Sequence, residues 1–388
     1  MKRIGIFSLA YLPHIGGAEV AIKEITDRTS EIEFHLFTLN FGKDAHEERI
    51  GNIFVHRVGS GSSYLSKILF APRAAFAARK LHRVQPFNAF WAMLSYMLFP
   101  IVLLRFFGVR VPYLLTLQEG DPWEHMFSRW FILPFRPLLS AGFRHVSAVQ
   151  AISMYLAQWA KRMGYIGSVD VIPNGCDTVR FGETHLRQDR ELFWKHKNIN
   201  GADTILITTS RLVRKNAIDV VIRALALLPK NTRFVILGSG LDRVALEALA
   251  GKLEVIERVH FLGDVPNSQT PQYLHASDIF VRPSRTEGMG ISFIEAMAAG
   301  LPVIATQAGG IADFLFDAKR NPEKESTGWA VDAESPEQVA VAVKEILANP
   351  EQVVRVTTVA KKLVSEQYDW NLIAQNMAAI FDRLIKSR

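Results

Sequence analysis

Short apolar runs recur along the chain, and the spacing between successive runs leaves room for a helix. The runs lie at residues 4–9, 34–38, 53–58, 113–117, 146–152 and 169–172 in the first half, and at 205–209, 234–237, 259–262, 279–281 and 303–305 in the second. Strand-length runs that alternate with helices predict βα units and a parallel sheet. Because the series occurs twice, the pattern predicts an α/β protein with two sheets.

The length of the chain supports the same division. Single hydrophobic cores stop growing at roughly 250–300 residues, and this chain has 388. The polar segment 182–203 interrupts the apolar pattern and is predicted to be the linker region. We predict a first domain over residues 1–174, a second over 175–370, and a C-terminal helix over 371–388 that packs back on the first domain. Ligands bind at the carboxyl ends of strands in open α/β sheets, so two facing sheets would enclose a cleft.

One uncharged stretch, residues 87–104, approaches the roughly 20 residues that a helix needs to cross a bilayer. Pro100, Asn88 and Ser95 weaken that interpretation. A buried strand followed by a buried helix explains the same residues, because hydropathy alone does not distinguish the two arrangements. Both alternatives stay open at this point.

Cysteine content and the first residues indicate the compartment. Cys176 is the one cysteine, which excludes an internal disulfide and a thiolate metal cluster. Residues 1–9 contain two basic residues and a short apolar run, without the cleavage site of a signal peptide, and are predicted to form the first strand. We therefore expect a cytoplasmic protein.

Positive charge is concentrated in one interval. No acidic residue occurs between Glu48 and Glu119. That interval contains nine basic residues, Arg49, Arg57, Lys67, Arg73, Arg79, Lys80, Arg83, Arg105 and Arg110. Removing these nine from 45 leaves 36 basic residues against 38 acidic ones in the rest of the chain. Residues 49–110 also carry several phenylalanines, and they predict a basic, aromatic-rich surface.

Three interpretations of this surface are open. A basic, aromatic-rich segment can lie on an anionic membrane, where each Lys or Arg contributes about 1 kcal/mol. The surface can also be a solvated face. No recognition motif accompanies the charge, so we expect no nucleic acid as a partner. The membrane interpretation predicts a peripheral protein on the inner face of the membrane.

The most informative segment, residues 283–302, reads Pro-Ser-Arg-Thr-Glu-Gly-Met-Gly-Ile-Ser-Phe-Ile-Glu-Ala-Met-Ala-Ala-Gly-Leu-Pro. It follows a strand-like run and ends in residues that stop a helix, so it predicts a strand, a glycine loop and a helix. Gly288 and Gly290 let the backbone approach a ligand, and the free N–H groups of the helix start favour an anion. A phosphate fits that position.

Two carboxylates flank this loop. Glu287 precedes the predicted helix and Glu295 lies within it, and both can hydrogen-bond sugar hydroxyls. Alternatively, Glu287 caps the helix and Glu295 is solvated or ion-paired. The context of Glu295 is largely apolar, where an unpaired carboxylate is costly to bury, and this favours a functional role.

These residues resemble the donor signature of the retaining glycosyltransferases of family four, which have the GT-B fold. The resemblance covers nearly the whole chain, because further motifs of the family follow in order: Gly16-Gly17-Ala18-Glu19, Val171-Ile-Pro-Asn174-Gly175-Cys-Asp177, Ser210-Arg211-Leu-Val, Leu237-Gly238-Ser-Gly240, Phe261-Leu-Gly263 and Ala276-Ser-Asp278. The resemblance implies two facing Rossmann-like domains with a cleft between them. It also implies that the second domain binds the nucleotide sugar and the first binds the acceptor.

The resemblance assigns roles to individual residues. Glu287 would hold hydroxyls of the transferred sugar, and Arg211 and Lys215 would bind the diphosphate; these three form the predicted catalytic set. Glu295 would hold the ribose, and the base would lie near Val265 and Asn267. The rest of the predicted donor site consists of Gly16, Gly17, Asn216, Gly288, Met289, Gly290 and Ile291.

The resemblance and the charges together predict that no metal is needed. A diphosphate leaving group gains negative charge in the transition state, and an arginine or lysine placed there substitutes for a metal ion. The sequence contains no Asp-x-Asp motif. We expect no metal and no cofactor besides the donor, a UDP- or GDP-sugar.

The chain departs from the family pattern at two places. The family usually has Lys-Gly where this chain has Asn216-Ala217, with Lys215 one position earlier, so either Lys215 or Asn216 can face the phosphate. Gln118 stands where the family commonly has a histidine. Glutamine cannot act as a base at neutral pH, so its role would be positional. Three neighbours of Gln118 complete the predicted acceptor contacts, namely Glu119, Asp121 and His125.

The sequence therefore predicts a retaining glycosyltransferase that moves a sugar to a glycan or lipid-linked acceptor, at the cytoplasmic membrane face in cell-surface glycan synthesis. Two alternatives belong to other classes. A nucleotide-sugar hydrolase or epimerase on the same fold would release free sugar or an isomer without acceptor. A non-catalytic sugar- or lipid-binding module would show no turnover.

Overall fold

The computed structural model describes residues 1–14, 16–42, 44–130, 132–183 and 190–386. The chain divides into two compact units. The first unit comprises Met1–Gly175 together with Trp370–Arg388, and the second comprises Cys176–Asp369.

The elements of the first unit alternate as the apolar pattern predicts. Its strands are β1 (Lys2–Phe7), β2 (Ile32–Leu39), β3 (Glu47–Ile50), β4 (Ile53–Val58), β5 (Ala89–Met93), β6 (Tyr113–Leu117), β7 (Ala148–Ala151) and β8 (Val169–Val171). Its helices are α1 (Gly17–Asp27), α2 (Tyr64–Val84), α3 (Leu98–Phe106), α4 (Trp123–Phe127), α5 (Arg136–Arg144), α6 (Met154–Arg162) and α15 (Trp370–Lys386).

The second unit repeats this alternation. Its strands are β9 (Thr204–Thr209), β10 (Thr232–Leu237), β11 (Val259–Gly263), β12 (Ile279–Arg282), β13 (Val303–Ala305) and β14 (Trp329–Ala330). Its helices are α7 (Thr178–Gly182), α8 (Arg190–Lys195), α9 (Ile218–Leu225), α10 (Arg243–Lys252), α11 (Thr270–His275), α12 (Ile291–Ala298), α13 (Pro336–Ala348) and α14 (Pro350–Gln367).

The first sheet has the strand order β3-β4-β2-β1-β5-β6-β7-β8, and every neighbouring pair is parallel except β3 with β4. Its inner strands are buried along nearly their whole length, as expected when helices cover both faces of a parallel sheet. The order reverses at β1, which pairs with β2 on one side and β5 on the other. The carboxyl ends of β1 and β5 are therefore the switch point where such sheets bind ligands.

The second sheet has the order β11-β10-β9-β12-β13-β14 and is parallel throughout. Here the order reverses at β9, which lies between β10 and β12. Helix α9 supplies six of its eight residues to the core of this unit. The switch point lies at the carboxyl ends of β9 and β12, and the segments with Arg211 and Glu287 follow those two strands.

The C-terminal helix α15 belongs to the first unit. Phe381 packs against Phe34 and Trp91, with ring centres 5.9 and 5.1 Å apart. Lys2 and Asp382 form an ion pair of 2.6 Å. These contacts join the end of the described chain to the first sheet, because the apolar face of α15 covers β1, β2 and β5.

The uncharged stretch 87–104 forms strand β5 and most of helix α3, separated by a 3₁₀ turn at Ser95–Met97. Within the described residues no helix combines the length and the apolar character of a membrane span. The interpretation as a buried strand and a buried helix is therefore confirmed, and the spanning helix was wrong.

The prediction of a linker at 182–203 was also wrong where the structure describes it; residues 184–189 lie outside the described part. Trp194 is fully buried and its indole N–H donates to the carbonyl of Ala276 at 2.6 Å. Arg190 binds Asp278 through both terminal nitrogens. Two of the charged residues in this segment, Arg190 and Asp203, are thus ion-pair partners within the second unit.

Candidate active site

The loop after β9 presents Arg211 at the switch point of the second unit. Asn216 is 4% exposed, and its Nδ2 donates to the carbonyl of Arg211 at 2.7 Å. Arg211 itself is exposed, and Lys215 is half-buried. Since the Asn216 amide nitrogen is bound inside the loop, Asn216 helps to shape the loop.

Ala217 stands where the Lys-Gly pattern has glycine. Its φ is 54°, in the left-handed region that glycine adopts most easily. The residue lies between the 3₁₀ turn Arg214–Asn216 and α9, and it caps both. Alanine therefore takes a glycine conformation here, at some cost in backbone strain.

The loop after β12 forms the glycine turn before α12. Gly290 has φ 90°, and a Cβ at this position would lie 2.5 Å from the Phe293 ring. The backbone N–H of Gly288 donates to Glu287 Oε1 at 3.2 Å. Met289 is buried and Ile291 is the first residue of α12. The start of α12 therefore lies where the sequence predicts an anion, since the first N–H groups of a helix have no acceptor within the helix.

A second glycine pair, Gly309-Gly310 after β13, holds the backbone of Glu287. The N–H of Gly310 donates to the Glu287 carbonyl at 3.0 Å. Gly309 has φ 62°, and a Cβ there would lie 2.0 Å from the same carbonyl oxygen. No side chain fits between the two loops, so these glycines fix where Glu287 stands.

Arg282 is the residue that the sequence analysis missed. It ends β12, is 5% exposed, and donates from Nη2 to Glu287 Oε2 at 3.2 Å. Burial lowers the pKa of its guanidinium, while the charges of Glu287 and Glu295 oppose that shift. The available signal was a single arginine at the end of an otherwise apolar strand run.

Glu295 faces the loop after β11. Its Oε1 accepts a hydrogen bond from Asn267 Nδ2 at 3.3 Å, and Asn267 Oδ1 accepts one from Arg180. Burial raises the pKa of Glu295, whereas the Asn267 hydrogen bond and the charges of Arg180 and Arg282 lower it. Burial, and then the charge of Glu295, raise the pKa of the Cys176 thiol. Glu295 is therefore a partly buried acceptor with neutral and cationic neighbours.

Glycines also bring the loops after β9, β10 and β11 together. A Cβ at Gly238 would lie 2.1 Å from the Ser210 carbonyl, and one at Gly240 would lie 2.3 Å from that of Leu212. The N–H of Gly238 donates to the Gly263 carbonyl at 2.7 Å. This packing places Val265, half-buried, in the segment that leads to Asn267. The predicted donor residues of the second unit thus lie on the loops after β9, β11 and β12 and in the first turns of α12.

The predicted donor contacts of the first unit, Gly16 and Gly17, lie at the start of α1 after β1. A Cβ at Gly16 would lie 2.6 Å from Glu19 Oε2. Burial raises the pKa of Glu19, and hydrogen bonds from the backbone of Gly16 and Glu19 lower it. The carboxylate of Glu19 therefore occupies the anion position at this helix start.

The predicted acceptor residues separate into two pairs. Gln118 Oε1 accepts from Asn174 Nδ2 at 3.0 Å, and Glu119 Oε1 accepts from the Ser95 N–H at 2.7 Å. Glu119 is 3% exposed, and burial raises its pKa. Its carboxylate holds the turn after β5, so the expected acceptor contact of this buried group gains no support from the geometry.

Asp121 and His125 form the second pair. Their side chains are 48% and 50% exposed, and the carboxylate lies 3.9 Å from His125 Nε2. Arg129 Nη2 lies 2.9 Å from His125 Nδ1. Both residues are accessible to an acceptor. Across the described ranges, no group of three or more His, Cys, Asp or Glu side chains could hold a metal ion.

Two family models match the chain, one in each unit. Residues 189–363 match the family described as glycosyl transferases group 1, and residues 16–175 match the glycosyl transferase 4-like domain.

Two curated relatives illustrate the similarity of the sequence. The GDP-mannose-dependent alpha-(1-6)-phosphatidylinositol monomannoside mannosyltransferase of Mycobacterium tuberculosis is 30% identical over 266 residues, which is 64% of this chain and 65% of the relative. The chain thus matches just under two thirds of that relative's length. The alpha-monoglucosyldiacylglycerol synthase of Acholeplasma laidlawii is 24% identical over 81% of this chain and 82% of its own length.

Solved structures resemble the fold over almost the whole chain. Sucrose-phosphate synthase of Thermosynechococcus elongatus gives a TM-score of 0.85 at 19% identity and covers 100% of both chains. Anabaena HepE in complex with UDP and glucose gives 0.80 at 20% identity, covering 99% of this chain and 100% of its own. This likeness confirms the predicted GT-B class, with two Rossmann-like α/β units.

Proposed function

Because the chain belongs to the group 1 glycosyl transferases, we propose that it moves a sugar from a nucleotide diphosphate sugar to a glycan or lipid-linked acceptor. One observation carries the proposal. Glu287 is fixed at the switch point of the second unit, by the backbone of Gly310 and the side chain of Arg282, beside the loop that presents Arg211. A rigid carboxylate next to an exposed cation suits a sugar attached to a diphosphate.

In this proposal the second unit binds the donor. Glu287 accepts hydrogen bonds from hydroxyls of the transferred sugar, and Glu295 accepts those of the ribose. Arg211 and Lys215 neutralise the charge that develops on the leaving diphosphate, so no metal ion is required. A cation at this place is effective because it is already present when the charge develops.

Transfer is proposed to retain the configuration of the sugar. Gln118 cannot take a proton at neutral pH, and its Oε1 is already bonded to Asn174. The departing phosphate would instead accept the proton of the acceptor hydroxyl, on the face of the sugar that the phosphate leaves. Asp121 and His125 are the accessible acceptor contacts in the first unit.

The donor is proposed to be a GDP- or UDP-sugar. The mycobacterial relative is named for its use of GDP-mannose, and Anabaena HepE was crystallised with UDP and glucose. GDP-mannose and UDP-glucose are therefore the first donors to test.

The acceptor is proposed to be lipid-linked and reached from the cytoplasmic membrane face. In the acid-free interval 49–110, large apolar side chains are exposed: Phe76 is 66%, Val84 84% and Phe106 85% exposed. A cavity of about 430 Å³ between the ends of α2 and α3 is lined by Arg79, Arg83 and Arg110 among other residues. Among the described residues these three arginines form no ion pair with a carboxylate. Exposed apolar and basic side chains side by side suit an anionic lipid surface.

The transferase proposal is tested with purified protein, GDP-mannose or UDP-glucose, and a membrane lipid extract as acceptor, with and without EDTA. Transfer of labelled sugar that EDTA does not reduce supports the proposal. Release of free sugar or of an isomer without acceptor would favour a hydrolase or an epimerase. Nucleotide binding without any turnover would favour a binding module.

The proposed binding to an anionic membrane is tested separately, by sedimentation with vesicles of phosphatidylglycerol or of phosphatidylcholine at low salt. We expect binding to the anionic vesicles, and about a 10²-fold loss or more when Arg79, Arg83 and Arg110 are changed to Gln together, at about 1 kcal/mol for each charge. A control with the same charge change replaces Lys252, Lys344 and Arg355, which are exposed in the second unit. If both triple variants lose the same vesicle affinity, the surface with Arg79, Arg83 and Arg110 is not the membrane contact.

A further inference from the structure

We propose that Arg282 is a positioning residue of the donor site, which orients the Glu287 carboxylate for the transferred sugar. The inference rests on the proposed function and adds to it a residue that determines how the sugar is held. Arg282 lies at the carboxyl end of β12, directly before the loop that carries Glu287.

The guanidinium of Arg282 is held on three sides. Nη1 donates to the carbonyl of Thr209, the last residue of β9, at 3.1 Å. Nη2 donates to Glu287 Oε2 at 3.2 Å. The guanidinium carbon lies 4.2 Å from the centre of the Phe293 ring in α12. Arg282 therefore links Glu287 to a strand and a helix of the sheet's rigid core.

This arrangement orients both oxygens of the Glu287 carboxylate. Oε2 accepts from Arg282 and Oε1 accepts from the Gly288 N–H. Each carboxylate oxygen has a second lone pair, so both remain able to accept a sugar hydroxyl. Nη2 also lies 3.1 Å from the place that a Cβ on Gly290 would take. The guanidinium of Arg282 is thus in close contact with the glycine turn at Gly290.

Stability alone does not explain a buried arginine at this position. Arg282 Nε is buried and has no hydrogen-bond partner among the described residues, and an unbonded buried N–H costs free energy. A buried ion pair adds little net stability, because removing both ions from water offsets their attraction. What the pair does provide is a fixed direction for the Glu287 carboxylate.

The test compares nucleotide sugar with nucleotide. Calorimetry measures the binding of GDP, GDP-mannose, UDP and UDP-glucose to wild type, Arg282→Gln and Arg282→Lys. We expect Arg282→Gln to weaken binding of the sugar nucleotide by about 10-fold, in line with the loss of one charged hydrogen bond, while the free nucleotide binds as in wild type. Arg282→Lys keeps the charge without the two-pronged geometry of the guanidinium. Its affinity for the nucleotide sugar should therefore lie between the affinities of wild type and Arg282→Gln. Equal weakening of nucleotide and nucleotide sugar would overturn the inference.

A double-variant cycle shows whether Arg282 acts through Glu287. If it does, Arg282→Gln adds almost nothing to the loss of sugar affinity in Glu287→Gln, because residues in contact are not additive. Additive losses would contradict the inference.

Arg190→Gln is the matched control, since it breaks another ion pair of the second unit, with Asp278 just before β12. Arg190→Gln should lower the melting temperature and leave unchanged the contribution of the sugar, which is the ratio of the affinities for nucleotide sugar and free nucleotide. If this ratio also falls in Arg190→Gln, the effect of Arg282→Gln is a general structural one. Wild-type protein that binds no nucleotide sugar would overturn the proposed function, and the inference with it. Wild-type binding with an unchanged sugar contribution in Arg282→Gln would overturn the inference alone.

Discussion

The carboxyl ends of the strands in the two units differ in their chemistry. In the second unit, charged side chains at the strand ends are paired with one another: Arg282 binds Glu287, and Arg285 binds both Asp219 and Glu334. In the first unit, Gln118 and Glu119 at the end of β6 are neutral or buried, and the charged Asp121 beyond them is exposed.

The first unit shows this clearly at two residues. Gln118 pairs with an amide, and Glu119 is buried against the backbone of Ser95. Paired charges hold an ionic ligand in one orientation, whereas neutral groups and exposed apolar side chains suit an uncharged or lipid ligand. The comparison shows that the sheet topology determines where a binding site lies, and that the side chains at the strand ends determine which kind of ligand fits it.

The largest difference is expected between the carboxylates Glu287 and Glu119. Glu287→Gln keeps the shape but removes the charge beside the reacting sugar, and should lower kcat by about 10²–10³-fold. Glu119→Gln should leave kcat nearly unchanged, because that carboxylate is buried in the first unit. Transfer assays at saturating donor measure both. Similar losses would mean that both units take part in the chemistry.

The next largest difference is expected between two glycine replacements, one in each unit. Gly309 and Gly108 both have positive φ, 62° and 83°, so alanine is strained at either position. A Cβ at Gly309 would press on the Glu287 carbonyl, whereas one at Gly108 would meet nothing within 4 Å. Gly309→Ala should lower kcat/KM by about 10²-fold through misplaced Glu287. Gly108→Ala should keep full activity and lose only a little thermal stability, and a comparable loss of kcat/KM there would show that the shared strain is the cause.

Arginine replacements should separate the ligands of the two units. Arg211→Gln should weaken nucleotide binding by about 10-fold or more, since charged hydrogen bonds contribute about 1.5–3 kcal/mol. Arg110→Gln should leave nucleotide binding unchanged and weaken binding to anionic vesicles by several-fold. Calorimetry and vesicle sedimentation measure the two effects. A loss of nucleotide affinity in Arg110→Gln would contradict the division of roles.

The smallest expected effect concerns pH and the buried carboxylates. Burial raises the pKa of Glu119 above its ordinary value of 4.5 in the folded protein. As pH rises past 4.5, Glu119 loses its proton in the unfolded chain but keeps it in the folded protein. The free energy of unfolding of wild type therefore falls with pH until the folded protein also releases this proton. Glu119→Gln stays neutral and can still accept from Ser95, so it should show a higher melting temperature near pH 7 and a flatter profile.

Glu295 provides the matched case in the second unit. Burial raises its pKa too, so Glu295→Gln should also flatten the stability profile above pH 4.5. In contrast to Glu119→Gln, it should weaken nucleotide binding. Thermal unfolding from pH 4 to 8, together with calorimetry, distinguishes the two variants. Unchanged nucleotide affinity in Glu295→Gln would remove the ribose role.

Much of the fold was predictable because strands of parallel sheets are continuous apolar runs. All eleven runs of the sequence pattern lie on strands of the two sheets. The pattern missed β3 and β14, which are short and lie at sheet edges. It gave β5 only as one of two interpretations of the uncharged stretch 87–104. It also missed the packing of segment 190–203, because the few apolar residues there, such as Trp194 and Ile199, show no regular period in a segment rich in charge.

The sequence by itself determined the class of the protein and the segment around Glu287, Gly290 and Glu295, since local spacing is enough to specify a strand, a glycine turn and a helix. Only the tertiary structure decided that Arg282 binds Glu287, that Asn216 bonds within its loop, and that Glu119 is buried. The physical reason is that hydrogen bonding and burial depend on residues brought together from different strands. Periodicity records only which face of its own element a side chain occupies.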